Sequence, residues 1–468
     1  MLMEYPGTKA IKDDVLSIPT HIDGVVLLAV LLIASMYSPM SVAREWYAKP
    51  SASLRGFYDD NLLMRRTDQG KFEVYGGTFS AGSKFGMRTE TSDVGLTAQA
   101  IINRYDAPTN IDNENYHFNL DSSFNVTERN QFTLNGRYFI DNNIGTQFEE
   151  TGLTQFLVER TSWAIQPNWT YRLSETENLI LDYSHEEIDF EQNNTNFLNS
   201  YNTDSVSLNY TNQWTERLQW FALASYLRFE TPRNERAARG QIQNFDIFDF
   251  GGIPIGVITT EDGVFESVTE SQSDMYSIQT GFNYAHSETW TSNFMIGGRW
   301  TESESFQSSR FNFDDSTLSP RVFLPPTTQK DSGLGYLISV GTNKQFERSS
   351  IGASFFQDVR PTAQGQLMQF TGITLTGDHK ITEHLKFSLN ASATQQTTAG
   401  GDEQNTRFDR DFISVEPKLS WRIDRQMTLA GGYRYRWQEF AFDTQARESN
   451  SVYFQLNYNW DPFTTSRY

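Results

Sequence analysis

The chain has no cysteine among its 468 residues. It therefore has no disulfide framework and no thiolate metal site. Its six histidines, His21, His117, His185, His286, His379 and His384, do not fall at ligand spacing. No phosphate loop, dinucleotide fingerprint or zinc-type histidine pair is present. Positive charge is short: 38 Lys and Arg stand against 58 Asp and Glu, a net charge of -20. That balance argues against nucleic acid as a partner. Long apolar runs are missing but for one, Val25 to Ala34, and a helix needs roughly 20 residues to cross a bilayer. The mean hydropathy of -0.54 is low for a membrane protein, but it leaves open a β-barrel, whose strands are half polar by construction.

The apolar run is followed by Ser41-Val42-Ala43 before Arg44. A short apolar segment ending in a small-x-small site reads as a secretory signal peptide, with residues 1–43 removed and 44–468 forming the mature chain. The segment before the run departs from the pattern. It carries Glu4, Asp13, Asp14 and Asp23 against Lys9 and Lys12, where a basic stretch belongs. Either the start lies too far upstream of the true one or the signal is atypical, and an uncleaved N-terminal anchor is the other reading.

What the chain does have is alternation. In WAIQPNWTYRLSETENLILDY, Trp163, Ile165, Pro167, Trp169, Tyr171 and Leu173 share one side, and Ala164, Gln166, Asn168, Thr170 and Arg172 the other. After the polar turn Ser174–Glu177, Leu179, Leu181 and Tyr183 alternate with polar residues. Period two means strand, and a short polar turn between two such runs means an antiparallel hairpin. One face is aromatic and aliphatic and the other polar, as lipid on one side and a wet lumen on the other require.

The unit recurs. Short turns centred on Glu or Asp stand at 89–91, 127–129, 174–176, 215–217, 287–289, 346–348, 382–384 and 423–425. Longer segments rich in Asn, Asp and Gly separate them. Eight short turns join sixteen strands; one more strand around Ala52–Tyr58 and a last one at Val452–Trp460 bring the count to about 18. The expectation is an all-β, antiparallel transmembrane barrel in the bacterial outer membrane, with short periplasmic turns, long extracellular loops and outer-membrane lipid around it. The longest loop, Thr231 to Gln272, has apolar residues of its own: Phe245, Ile247, Phe248, Ile253, Ile255 and Val257. A loop of that length and composition is packed, either into the lumen as a constriction or outward as a β-extension.

No catalytic residue, metal ligand or cofactor is expected. Asp182, His185 and Glu187 are close in sequence, but His185 sits at a strand end and reads as a solvated rim. By strand parity Arg137, Arg172, Arg228, Arg299, Lys418, Arg422, Arg434 and Arg436 face the lumen. Two readings stay open: an anion-attracting lining, since arginine rings select anions in pores, or arginines braced against lumenal acids such as Asp182 and Glu416.

The element PNWTYRLSETENL is echoed by PKLSWRIDRQMTL from Pro417 to Leu429, and the chain ends YRYRWQEF…SNSVYFQLNYNW. With Gly56-Phe57-Tyr58-Asp59-Asp60-Asn61 after the first strand, these resemble the porin-like outer-membrane β-barrel proteins encoded with exopolysaccharide export systems. The resemblance implies a conduit for a secreted polysaccharide, with periplasmic export proteins as partners; a small-solute porin and a non-conducting scaffold are the alternatives. The tail Asp461–Tyr468, and the mid-strand prolines Pro167 and Pro417, depart from what such a barrel shows, since a paired strand normally excludes proline.

Overall fold

The computed structural model describes residues 44–66, 70–142, 158–191, 198–248, 254–314, 321–363, 365–399, 409–441 and 443–467. The segment 1–43, read above as a signal peptide, lies outside the described residues. The strands are β1 (Arg44–Asp59), β2 (Val74–Arg88), β3 (Ser92–Asp106), β4 (Asn113–Asn125), β5 (Asn130–Asn142), β6 (Glu159–Arg172), β7 (Glu177–Phe190), β8 (Tyr201–Thr215), β9 (Leu218–Phe248) and β10 (Pro254–Ser287). There follow β11 (Trp290–Phe313), β12 (Arg321–Gln345), β13 (Ser349–Thr362), β14 (Gln366–Lys380), β15 (Leu385–Thr398), β16 (Arg410–Arg422), β17 (Met427–Phe440), β18 (Asp443–Asn459) and β19 (Phe463–Arg467).

Each strand from β1 to β17 pairs antiparallel with the next, and β1 closes the sheet on β18. The tail becomes a short strand: β19 continues the edge of β18 and pairs with the first residues of β1, Arg44–Ala48. The wall is thus a closed barrel of eighteen strands, one of the two backbone arrangements that leave no unsatisfied polar group in lipid. Its outer face carries exposed Phe79, Leu96, Phe132, Leu208, Ile296 and Phe454, the apolar band of an outer-membrane barrel.

Seven of the eight short turns are closed by their own side chains, and the eighth by the backbone bond from the Phe346 N–H to the Ser349 carbonyl at 2.7 Å. Thr127 accepts the Asn130 N–H at 3.0 Å, Thr215 that of Leu218 at 3.0 Å, Thr382 that of Leu385 at 3.0 Å and Asp424 that of Met427 at 2.7 Å. Short oxygens at a turn's first position stand in for the missing ladder partner. Aromatics flank these turns: Trp214 stacks on Trp220, and Trp460 packs edge-on against Tyr458.

The two mid-strand prolines occupy equivalent gaps. Pro167 pairs with Leu134 on β5, while the β6–β7 ladder skips from Ile165 to Asn168. Pro417 pairs with Leu389 on β15, while the β16–β17 ladder skips from Val415 to Lys418. Each proline therefore stands at a two-residue interruption of one of its strand's two ladders, where its missing donor falls. Side chains bridge the first gap: Gln166 and Asn168 both donate to Asp182, at 3.0 Å each.

At the far end the hairpins differ. β9 and β10 stay paired out to Phe248 and Pro254, so the segment 231–272 is a β-extension by its backbone pairing. β11 and β12 also run on together. β13 and β14 turn inward instead. Their turn carries Gly365 at φ +81°. The Ala363 carbonyl accepts the Asn199 N–H at 2.7 Å, and Ser271 Oγ donates to the Gly365 carbonyl at 2.9 Å. Val359, Ala363 and Leu367 join a buried cluster with Ile188, Phe229 and Met275 from the inner faces of β7, β9 and β10.

Candidate functional site: a basic slot in the lumen

The inward hairpin fills one side of the lumen. Beside it lies a cavity of about 650 Å³ between the inner faces of β1–β5 and β13–β17, with Arg55, Arg360, Arg434 and Arg436 on its walls. Asp141, Glu416 and His117 also face it. Strand parity sets the inward direction: Leu54, Ile373 and Tyr433 point out and are exposed, so Arg55 and Arg434, one position away, point in.

The four arginines are not equivalent. Arg436 is buried; its Nη2 donates to Asp59 Oδ2 at 3.1 Å and to Ser449 Oγ at 3.0 Å, and Ser449 donates to Asp59 Oδ1 at 2.9 Å. Removing one partner of such a buried pair costs about 3–5 kcal/mol, so Arg436 braces the wall. Arg434 stands 4.0 Å from the same carboxylate and keeps part of its surface open. Arg360 pairs with Asp358 at 2.7 Å, and its guanidinium lies 5.4 Å from the Phe356 ring and 5.3 Å from that of Phe370. Arg55 lies 4.0 Å over the Tyr453 ring, whose hydroxyl donates to Glu416 at 2.5 Å. Across the slot, Asp141 is held by both arms of Arg160 at 2.8 Å. Asp59 and Asp141 are thus held by arginines and Glu416 by a tyrosine hydroxyl, while Arg434 and the Asp358-paired Arg360 border the open space.

The other lumenal cations expected from sequence are dispersed. Arg137 pairs with Glu186, reaching across Ala164 on β6. Arg172, Lys418 and Arg422 lie toward the short-turn end, where Arg422 donates to the Glu383 carbonyl at 3.0 Å. Arg299 is buried behind β12, donating to Thr301 Oγ1 at 2.9 Å and Gln369 Oε1 at 3.2 Å.

Arg228 corrects the parity reading: it stands on the outer face. It shares that face with Tyr226, in the row that runs through Val206 and exposed Tyr276, and it pairs with Asp274 at 3.0 Å. Asp182 and Glu416, named as possible arginine partners, bind Gln166, Asn168 and Tyr453 instead; among the described residues, acids that hold lumenal arginines include Asp59, Asp141, Glu186, Asp358 and Asp443. The Asp182, His185 and Glu187 cluster is split between faces. His185 points out to Asp204 at 2.8 Å, and Glu187 accepts from Trp163 on the same outer side.

Arg55, Arg160, Arg360, Arg410 and Arg447 were not singled out from sequence. For Arg55 the signal was available, since it alternates with Trp46 and Leu54. For Arg360 it was not, because its place in the slot depends on the inward turn.

No protein-family model matches the chain, and no curated protein matches it. Among solved structures, the ferric-catecholate import receptor Fiu of E. coli K12 is similar over 88% of this chain and 81% of its own, at 9% identity and a TM-score of 0.43. OccAB3 of Acinetobacter baumannii is similar over 89% and 99%, at 11% identity and a TM-score of 0.40. OpdL of Pseudomonas aeruginosa is similar over 90% and 99%, at 11% identity and a TM-score of 0.38. These likenesses are distant, and the barrel stands on its own strand pairing. A closed antiparallel barrel with an apolar outer band, short turns at one end and long hairpins at the other places the chain in the bacterial outer membrane.

Proposed function

We propose that the chain is a passive, non-catalytic conduit for anionic solutes, and that acidic saccharide, exported as a polymer with periplasmic partner proteins, is its cargo. One observation carries this reading: the lumen is narrowed to a slot where Arg434 and Arg360 face open space, while Asp59, Asp141 and Glu416 are engaged by other groups. Cations in a low-dielectric cleft concentrate counter-ions and substrates of opposite sign, and basic constrictions select anions. A channel for small anions is the second reading. It is favoured by the inward hairpin, which leaves a cavity of about 650 Å³, a volume typical of a single small-molecule site.

The test is reversal-potential measurement of the refolded barrel in planar bilayers under a salt gradient. Wild type prefers anions, and the double variant Arg360→Gln, Arg434→Gln loses that preference by about threefold or more, given the focusing of charge in such a cleft. An unchanged ratio contradicts the proposal. Block by added acidic polysaccharide supports polymer cargo; block only by small sugar acids supports the second reading. A folded but silent barrel favours a scaffold.

A further inference from the structure

Three aromatic rings lie flat on the inner wall where the next strand offers a glycine. A Cβ at Gly76 on β2 would overlap the tip of the Phe57 ring on β1; one at Gly372 on β14 would overlap that of Phe356 on β13, and one at Gly432 on β17 that of Tyr453 on β18. Each ring therefore rests on the bare backbone of its neighbour, an approach that a side chain would block. A ring laid down in this way turns one face to the strand and the other to the lumen. The lumenal face of Tyr453 is taken: the Arg55 guanidinium lies 4.0 Å over it, and only 3% of the residue is exposed. Phe57 and Phe356 are partly exposed and border the slot.

Both rings keep company with charge and with amides. Arg55 stands 5.8 Å from the Phe57 centroid and Arg360 5.4 Å from that of Phe356. Tyr105 meets Phe57 edge-on, with the rings 5.8 Å apart, which fixes the tilt of the platform. Between the two rings the wall is polar. Thr78 donates to Asn103 Oδ1 at 2.8 Å, and Asn142 donates to Asn115 Oδ1 at 3.1 Å. Asn103 and Asn115 border the same cavity. An amide has two donor and two acceptor positions, so these wall bonds leave capacity for hydroxyl groups of a ligand.

A bare anion has no use for a flat apolar face. A pyranose has such a face of its own, since its axial C–H bonds gather on one side of the ring while its hydroxyls spread around the edge. We propose that the slot is a stacking site for carboxylated pyranose rings. The sugar lies on Phe57 or Phe356, its hydroxyls reach Asn103 and Asn115, and its carboxylate meets Arg434 or Arg360. Stacking takes both apolar faces out of water and sets polarised C–H bonds against the negative face of the aromatic ring. The inference rests on the conduit reading and names the unit that its cargo presents: recognition is by ring and charge together, where a basic lining alone would read charge.

The test follows current through the refolded full barrel as digalacturonate is added, with adipate as the control that carries two carboxylates and no ring. In wild type, half-block by digalacturonate is expected at about one tenth of the adipate concentration, the scale of a ring stack. This comparison needs no variant to fold. Phe57→Leu with Phe356→Leu keeps apolar bulk without a flat face and should bring the two half-block concentrations together. Gly76→Ala with Gly372→Ala keeps both rings but tips them off their seats, and should shift the ratio in the same direction. Equal block by the two acids in wild type, or a ratio unchanged in the leucine variant, overturns the stacking site. The reversal potential read in the same bilayer separates this from the conduit reading, which stands if anion preference persists. Ring-dependent block in a wild type without anion preference supports the site and overturns the anion conduit instead.

Discussion

The β9–β10 and β13–β14 hairpins begin alike, each rising from a short turn with alternating faces, and they end in opposite places. β9 and β10 pair for most of their length, and just past Thr231 the exposed Arg233 and Glu235 pair at 2.9 Å. The end of β13–β14 has apolar Val359 and Leu367 on one face, and Phe356, Met368 and Phe370 beside the Asp358–Arg360 pair on the other, which lines the slot. A strand pair with one dry face can line a wall. A pair whose apolar face is turned away from lipid must have that face covered, and the inner faces of β7, β9 and β10 cover it. Burying a Leu- or Phe-sized side chain contributes about 1.5–3 kcal/mol, and Phe229, Leu367, Met368 and Phe370 are all nearly or fully buried. Pro361 falls on the stretch of β13 with a single neighbour, where proline is tolerated.

The contrast breaks most visibly if the dry face is made wet. Val359→Asp with Leu367→Asp places carboxylates in the apolar cluster, which unpaired charge does not tolerate. The hairpin should leave the lumen, and single-channel conductance should rise several-fold. The matched change on the other hairpin, replacing residues 238–265 with a tight turn, should leave conductance near wild type. A large rise from that truncation, or none from the charged pair, would mean that β13–β14 is not the constriction.

A smaller effect concerns the mouth near the slot. At the β17–β18 tip Asp443 meets Arg447 at 3.1 Å and Arg66 at 3.5 Å. Burial alone would push its carboxyl up; the Gln445 backbone N–H and the two guanidinium groups outweigh that and hold it below the usual carboxylate range. A depressed folded-state pKa contributes stability that is present above the unfolded value, about 3.9, and is lost as pH falls through the folded one. Hydrogen exchange at 443–447 should therefore accelerate below about pH 4, and Asp443→Asn should remove that pH dependence.

Much of the wall was legible because its signals are local. All but one of the short turns carry their own capping oxygen, as at Thr127 and Asp424, and each wall strand shows its lipid face in its own residues. The echo between PNWTYRL and PKLSWRI marked two strands that share the same one-sided gap. The inward hairpin was not legible from alternation, because period two reports a strand without saying what lies on either side. Its available signal was composition, with Val359 and Leu367 backing Phe356 and Phe370. The apolar residues of the long loop drew the constriction reading to β9–β10, whose backbone extends outward instead. Arg228 misled for a related reason. Near the rim, where the apolar face gives way to charge, only register with Tyr226 and Tyr276 assigns its side. The arginine partners, Asp59 above all, come from strands far apart in sequence and needed the closed barrel to be seen.

The central claim is that β13–β14 lies across the inside of the mouth. Asn199 and Ala363, joined by a backbone bond of 2.7 Å, lie on opposite sides of that contact, and their Cα atoms fall in the range a disulfide spans. Asn199→Cys with Ala363→Cys, in a chain with no other cysteine, should cross-link spontaneously and nearly completely in isolated outer membranes. If β13–β14 instead stood upright in the wall as β9–β10 does, the two thiols would stay free and titrate fully.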